Sequence, residues 1–112
     1  ETALGQTVLF GFSQGGAMAL DAGCHLPLAG VISCSGYPHP EWNPSSSHPP
    51  ILLLHGDQDS VVPHAALGSI GERLQESRCE SVMFKDGHTI PEEVMPQIHQ
   101  ALTRMLPNQS PR

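Results

Sequence analysis

The segment from Ile51 to His55, which reads ILLLH, places the strongest constraint on the fold. A short, uniformly aliphatic run is typical of a β-strand that is buried on both faces, whereas a strand with one solvated face alternates apolar and polar residues. Strands buried on both faces occur in parallel sheets that helices cover on either side. The segment therefore predicts an α/β fold.

Strand and helix patterns alternate along the rest of the chain. The sequence predicts strands over 7–12, 30–35, 51–55 and 81–85, and helices over 15–25, 63–77 and a last segment that Pro107 ends. The last helix is expected to begin between Glu93 and Met95, because Pro96 then lies in its first turn, where proline is tolerated. This order predicts about four parallel strands in sequential order, with right-handed crossovers and helices on both faces.

The stretch over 36–50 interrupts this alternation. It contains five prolines and three serines, which exclude regular secondary structure. A loop of this length inside a compact domain is often functional, so Tyr37 and Trp42 are candidate substrate-binding residues. The alternative is that the two aromatic rings only hold the loop on the surface.

Composition excludes several classes of protein. The net charge is −6, from 5 basic and 11 acidic residues, which disfavours binding to nucleic acid or to anionic membranes. No apolar run approaches the roughly 18 residues that a membrane-spanning helix needs. The three cysteines are widely spaced, which favours a reducing, cytoplasmic setting over a disulfide framework. Cys24 and Cys34 have apolar neighbours, which favours a role in packing over one as reactive thiols.

The residues from Gly11 to Gly15 form a G-x-S-x-G motif at the junction of a predicted strand and helix. In this context the motif is typical of a nucleophile elbow, in which a sharp turn presents the serine above the sheet. The helix N-terminus also favours developing negative charge beside that serine. Ser13 is therefore the candidate nucleophile, although a serine between glycines is often only part of a turn.

Two carboxylates, Asp57 and Asp59, compete for the role of the acid that orients a catalytic histidine. Both follow the strand over 51–55, where a loop side chain can reach the histidine of the next loop. Asp57 directly follows Gly56 and is expected to brace the turn through the backbone. Asp59 lies further out and is the preferred acid, unless both only form the turn before the next helix.

The candidate base is His88, one of seven histidines in the chain. It lies on a loop after the fourth predicted strand and completes the chain order Ser, Asp, His, which is the order of α/β-hydrolase triads. Because parallel strands end at one edge of the sheet, all three groups are expected to meet there. His55 ends a strand and is expected to be packed and hydrogen-bonded. No histidine pair has the spacing of a metal site.

The motifs GFSQGGAMAL, HGDQDSVVP and DGHTI together resemble the phospholipase/carboxylesterase family, which includes the acyl-protein thioesterases. The resemblance runs from Thr7 to about Leu106. It implies an α/β-hydrolase fold, a Ser-Asp-His triad at the residues named above, and hydrolysis of carboxylic esters or thioesters without metal or organic cofactor. It also implies that the backbone N–H of Gln14 is one oxyanion donor, the second coming from an early loop that this chain does not contain.

Because the chain begins at Glu1 within a few residues of a strand, we expect it to be the C-terminal portion of an incomplete α/β-hydrolase domain over 1–106, followed by a frayed tail over 107–112. The open edge of the first strand then favours homodimers or aggregates. The expected substrates are small to medium acyl esters or thioesters, with lysophospholipid, acyl-thioester and simple carboxylester all open. The alternatives are a dienelactone-hydrolase-like or peptidase-like relative, a catalytically impaired fragment, or a non-catalytic binding module.

Overall fold

The computed structural model describes residues 2–106, so the tail predicted over 107–112 lies outside the described residues. Its strands are β1 (Val8–Phe12), β2 (Gly30–Cys34), β3 (Ile51–Gly56) and β4 (Cys79–Phe84). Its α-helices are α1 (Gln14–Gly23), α2 (Ala65–Gly71) and α3 (Met95–Met105). Short 3-10 helices span Thr2–Gln6, Glu76–Arg78 and Glu92–Val94.

The four strands form one parallel sheet in the order β1-β2-β3-β4. This confirms the predicted α/β fold with strands in sequential order. All residues of β2 and β3 are buried, as expected for central strands between two helical layers.

Alternate residues of β2 and β3 enter two separate cores, one on each face of the sheet. Val31 of β2 packs with α1 and with Ile70 of α2, whereas Ile32 packs with Ile98 and Ala101 of α3. The side chains of a strand alternate between faces, so each central strand contributes to both cores. The helices therefore lie on both faces, and the carboxyl ends of all strands remain together at one edge.

Some element boundaries differ from the sequence prediction. Helix α2 ends at Gly71, six residues before the predicted end, although Leu74 beyond it is still buried in the core. Strand β4 begins at Cys79, two residues before the prediction. Helix α3 begins at Met95 with Pro96 in its first turn, as predicted.

The loop over 36–50 packs against α1 and α2 through Trp42, which is only 4% exposed. Its indole N–H donates to the carbonyl of Leu20 over 3.2 Å, and the Arg73 guanidinium lies 6.0 Å from the ring centroid. The predicted role of Trp42 in substrate binding is therefore corrected: this ring lies in the core and holds the loop in place. An apolar ring of this size gains more from burial than from lining an open loop.

Another loop residue, His48, is also more deeply buried than the sequence indicates. Its Nδ1 lies 2.7 Å from the Pro49 carbonyl, and its Nε2 accepts the Gln75 N–H over 2.9 Å. The Arg78 guanidinium donates to the His48 carbonyl over 2.7 Å. Internal polar contacts of this kind replace the helix and sheet hydrogen bonds that the prolines exclude.

The three cysteines are free thiols, and Cys24 and Cys34 are buried as predicted. Burial raises the pKa of Cys24 to about 12 and also raises those of Cys34 and Cys79. A protonated thiol is a poor nucleophile, so these positions are suited to packing.

None of the described helices is both long and apolar enough to cross a membrane.

Candidate active site

Ser13 occupies the sharp turn between β1 and α1. Its backbone has φ 60° and ψ −119°, in the left-handed half of the map, where residues other than glycine are strained. Its N–H donates to the Cys34 carbonyl over 2.8 Å, and its own carbonyl accepts the N–H of Ala17 over 3.1 Å. These bonds hold the strained turn between β2 and the start of α1, as in a nucleophile elbow.

The two glycines that flank the turn are not equivalent. A Cβ on Gly11 would collide with the backbone of Gly15 and Gly16, so glycine is required where the strand passes beneath the helix. A Cβ on Gly15 would meet no described atom within 4 Å. Of the G-x-S-x-G motif, the first glycine is therefore the one that sterics demand.

The strain at Ser13 predicts that a glycine variant is more stable than an alanine variant, the reverse of the order expected inside a helix. Glycine adopts φ 60° without strain, and the relief of that strain stabilises the folded state by about 1–3 kcal/mol. The greater conformational entropy of glycine in the unfolded chain opposes this by roughly 0.5–1 kcal/mol. We therefore expect the free energy of unfolding of Ser13→Gly to exceed that of Ser13→Ala by about 1 kcal/mol. Urea unfolding of both proteins measures the difference.

The matched control is the same pair of variants at Ser69, an exposed residue of α2. There the glycine variant should be the less stable one, because glycine is unfavourable inside a helix. If Ser13→Ala is at least as stable as Ser13→Gly, the turn is not strained.

Asp59 lies in the turn after β3 with a fully buried side chain. Its Oδ1 accepts the backbone N–H groups of Val61 and Val62 over 2.9 and 2.8 Å, and its Oδ2 lies 2.7 Å from Nδ1 of His88. Burial opposes ionisation, but the hydrogen bonds from His88 and from the two N–H groups outweigh it, so the pKa of Asp59 lies below its ordinary value. The carboxylate is therefore held in its charged form.

The lowered pKa of Asp59 predicts a loss of stability in acid. A carboxyl group whose pKa is lower in the folded state contributes stability that is fully present above its unfolded pKa and is lost as pH falls through its folded pKa. We expect wild type to lose more free energy of unfolding than Asp59→Asn between neutral and acidic pH. Urea unfolding across that range tests this, and parallel curves for the two proteins would contradict it.

His88 follows β4 and connects the other two side chains. Its Nδ1 lies 2.7 Å from Oδ2 of Asp59, and its Nε2 lies 2.9 Å from Oγ of Ser13. A carboxylate can only accept, so Nδ1 carries the proton and Nε2 is free to accept from the serine hydroxyl. The Phe12 ring packs against the imidazole at 4.8 Å between centroids. The three predicted residues thus form one continuous hydrogen-bonded row.

The loops that carry the acid and the base are joined by backbone contacts. The N–H of Asp57 donates to the carbonyl of Phe84, and the N–H of Gln58 to that of Asp86, each over 2.9 Å. A Cβ on Gly56 would collide with the carbonyls of residues 86 and 87. Glycine at the end of β3 therefore lets the histidine loop approach the acid loop closely.

The other predicted site residues take different places. The Asp57 side chain is exposed and makes no hydrogen bond with any described residue, so only its backbone N–H braces the turn. Gln14 is the first residue of α1, where a backbone N–H has no partner within the helix. Tyr37 is half-buried beyond the end of β2, with its ring 6.1 Å from that of His39, and its role in substrate binding stays a prediction.

Two contacts of this site were missed by sequence reasoning. The Phe12 ring was assigned only to a strand, yet it flanks the imidazole of His88. The N–H groups of Val61 and Val62, which accompany His88 in binding the Asp59 carboxylate, depend on the shape of the turn. No residue type in the sequence signals a backbone N–H of this kind.

The chain is similar to known proteins in both sequence and structure. Acyl-protein thioesterase 1 of Neurospora crassa is 36% identical to the chain, in an alignment that covers 89% of this chain and 46% of the relative. The crystal structure of esterase PE8 matches with a TM-score of 0.72 and 30% identity, over 92% of this chain and 52% of that one. Arabidopsis thaliana SOBER1 matches with a TM-score of 0.73 and 30% identity, over 88% and 52% of the two chains.

The chain thus spans about half the length of the relatives it matches. The sequence pattern of the phospholipase/carboxylesterase family matches residues 3–106, which is nearly all of the chain and includes the three residues of the hydrogen-bonded row. The chain therefore belongs to the phospholipase/carboxylesterase family.

Proposed function

We propose that this protein is a serine hydrolase that cleaves carboxylic esters or thioesters, with Ser13 as nucleophile, His88 as base and Asp59 as the acid that orients the base. The observation that carries the proposal is the row of contacts Oγ–Nε2 at 2.9 Å and Nδ1–Oδ2 at 2.7 Å. Both distances lie within hydrogen-bond reach, which activation of a serine requires.

The proposed reaction has two steps. Nε2 of His88 removes the hydroxyl proton while Oγ of Ser13 attacks the acyl carbon, and the alcohol or thiol leaves with that proton as the acyl-enzyme forms. Water then attacks the acyl-enzyme with His88 again as base, releasing the carboxylic acid and restoring the serine hydroxyl. The buried Asp59 carboxylate stabilises the imidazolium of each step and keeps the proton of the neutral imidazole on Nδ1.

The backbone N–H of Gln14 is the proposed oxyanion donor. It begins α1 directly after the nucleophile, where the positive end of the helix dipole also favours the oxyanion. A full oxyanion hole needs a second donor, which the family supplies from an early loop. We therefore propose that the 112 residues alone are a weak catalyst, since losing one donor costs roughly 10²–10³ in turnover.

Acyl esters and thioesters are the proposed substrates. A relative that is 36% identical is named an acyl-protein thioesterase, and a structure that is 30% identical is an esterase. Nothing in the triad geometry separates an oxygen ester from a thioester, because the same acyl-enzyme forms from both. The three free thiols support a reducing compartment, and we propose a cytoplasmic location.

The exposed edge of β1 is the proposed site of self-association. Within residues 2–106, β1 pairs with β2 on one side only, and its Phe10 is 46% exposed. An unpaired apolar strand edge favours pairing with another chain. The 112-residue chain is therefore proposed to form homodimers, which light scattering measures.

Labelling with a fluorophosphonate tests the proposed function, because only an activated serine reacts quickly with this probe. We expect the full-length gene product to be labelled at Ser13, whose Oγ lies 2.9 Å from Nε2 of His88. Peptide mapping identifies the labelled residue, and the 112-residue chain is compared at equal concentration. Labelling of another serine would place the nucleophile there, and no labelling of a folded protein would favour a non-catalytic binding module.

A further inference from the structure

His55, the fifth residue of β3, is a buried imidazole that the proposed reaction does not use. It is 1% exposed and stands four residues before Asp59 in the chain. Its Nε2 lies 2.9 Å from the Val62 carbonyl and 3.5 Å from Oδ2 of Asp59. Its Nδ1 is buried and has no hydrogen-bond partner among the described residues.

These contacts determine which ring nitrogen of His55 carries the proton. A carbonyl oxygen can only accept, so the 2.9 Å contact requires a proton on Nε2. A second proton on Nδ1 would leave a buried N–H without an acceptor, which is costly in the interior. His55 is therefore a neutral imidazole whose one N–H points at the acid turn.

The Val62 peptide unit connects His55 to the carboxylate. Val62 accepts from His55 through its carbonyl and donates through its N–H to Oδ1 of Asp59 over 2.8 Å. The same Nε2–H lies close enough to Oδ2 to add a favourable dipole beside the atom that binds His88. One buried N–H thus fixes the turn from β3 to Val62 and faces the atom through which the acid acts.

We propose that His55 is a positioning residue that acts through Asp59: its Nε2–H fixes the Val62 segment so that Oδ2 is aimed at Nδ1 of His88. This inference rests on the proposed function for its kinetic consequence, though not for its structural one. Hydrogen-bond partners one step behind a functional ligand typically contribute roughly 10-fold to 100-fold to activity in metal sites.

Three substitutions separate the donor from the bulk of the ring. In His55→Gln the amide nitrogen stands as far along the side chain as Nε2 and keeps the donor, while His55→Leu fills similar space without one. His55→Asn carries its amide too close to the backbone to reach Val62. His99→Leu on the exposed surface of α3 is the matched control.

Turnover of a short p-nitrophenyl ester by the full-length gene product is measured at a temperature where near-UV circular dichroism shows every variant folded. We expect His55→Leu and His55→Asn to lower kcat roughly 10-fold to 100-fold with KM nearly unchanged. His55→Gln should restore most of the loss, and the control should match wild type. Wild-type kcat in a folded His55→Leu protein, or a Gln variant as slow as the Leu variant, would overturn the proposal.

Two NMR measurements do not depend on catalytic activity. Nitrogen-15 shifts should identify the neutral Nε2–H tautomer of His55, and a proton on Nδ1 would overturn the proposal. The low-field resonance of the proton between His88 and Asp59 should be present in wild type and in His55→Gln. If wild type is inactive but shows the resonance and the tautomer, the proposed function fails while the positioning role stands.

Discussion

Ser13→Ala is expected to abolish ester hydrolysis while leaving the fold intact. The hydroxyl at 2.9 Å from Nε2 of His88 is the proposed nucleophile of the first step, and without it no acyl-enzyme can form for water to attack in the second. Removal of the equivalent serine from a well-studied protease costs about 10⁶ in kcat. Hydrolysis of a short p-nitrophenyl ester by the full-length gene product measures the effect.

The control for this variant is Ser69→Ala, which removes an exposed hydroxyl from α2. Its activity should equal that of wild type. We expect Ser13→Ala to stay folded, because the substitution keeps the strained backbone angles and removes only Oγ. Circular dichroism measures whether it does. A folded Ser13→Ala protein with full activity would place the nucleophile at another residue.

Asp59→Asn is the second substitution with a large expected effect. The amide can present its N–H₂ group to Nδ1 of His88, which favours the tautomer with the proton on Nε2, where it can no longer accept from Ser13. The same change in a well-studied protease lowers kcat by about 10⁴. We expect a loss of that order, measured in the same ester assay.

Asp57→Asn is the matched control, because it makes the same chemical change two residues away. Its side chain is exposed and its backbone N–H still donates to Phe84, so activity and stability should both stay near wild type. The sequence predicts that Asp57 braces the turn through the backbone, and the substitution leaves that backbone contact in place. An inactive but well-folded Asp57→Asn protein would transfer the role of the acid from Asp59 to Asp57.

The local signals in the sequence were sufficient for the sheet and for the proximity of the three candidate triad residues. The run over 51–55 forms a strand that is buried on both faces, because four consecutive aliphatic side chains leave neither face of the strand suited to water. Ser13, Asp59 and His88 each follow a strand of one parallel sheet, and parallel strands must end at the same edge. The proximity of three residues far apart in the chain therefore followed from strand order alone.

Side-chain direction and backbone geometry were decided only by the tertiary structure. Trp42 was expected either to line a substrate groove or to hold the loop on the surface, yet it is buried in the core, because an aromatic residue in a loop gives no sign of which neighbours it will meet. The short α2 has the same cause: Leu74 reaches the core without being helical. Packing stabilises such residues through contacts with distant elements, and no pattern of neighbouring residues encodes those contacts.

The sequence by itself determined which residue types stand at the carboxyl ends of the strands, because motif and strand pattern are both local properties. The tertiary structure alone decided how they are held: Ser13 at φ 60°, Asp59 with two backbone N–H groups, and His55 behind it with one donated proton. Hydrogen bonds depend on distances and angles between atoms of different elements, and these become defined only when helices and sheet pack together.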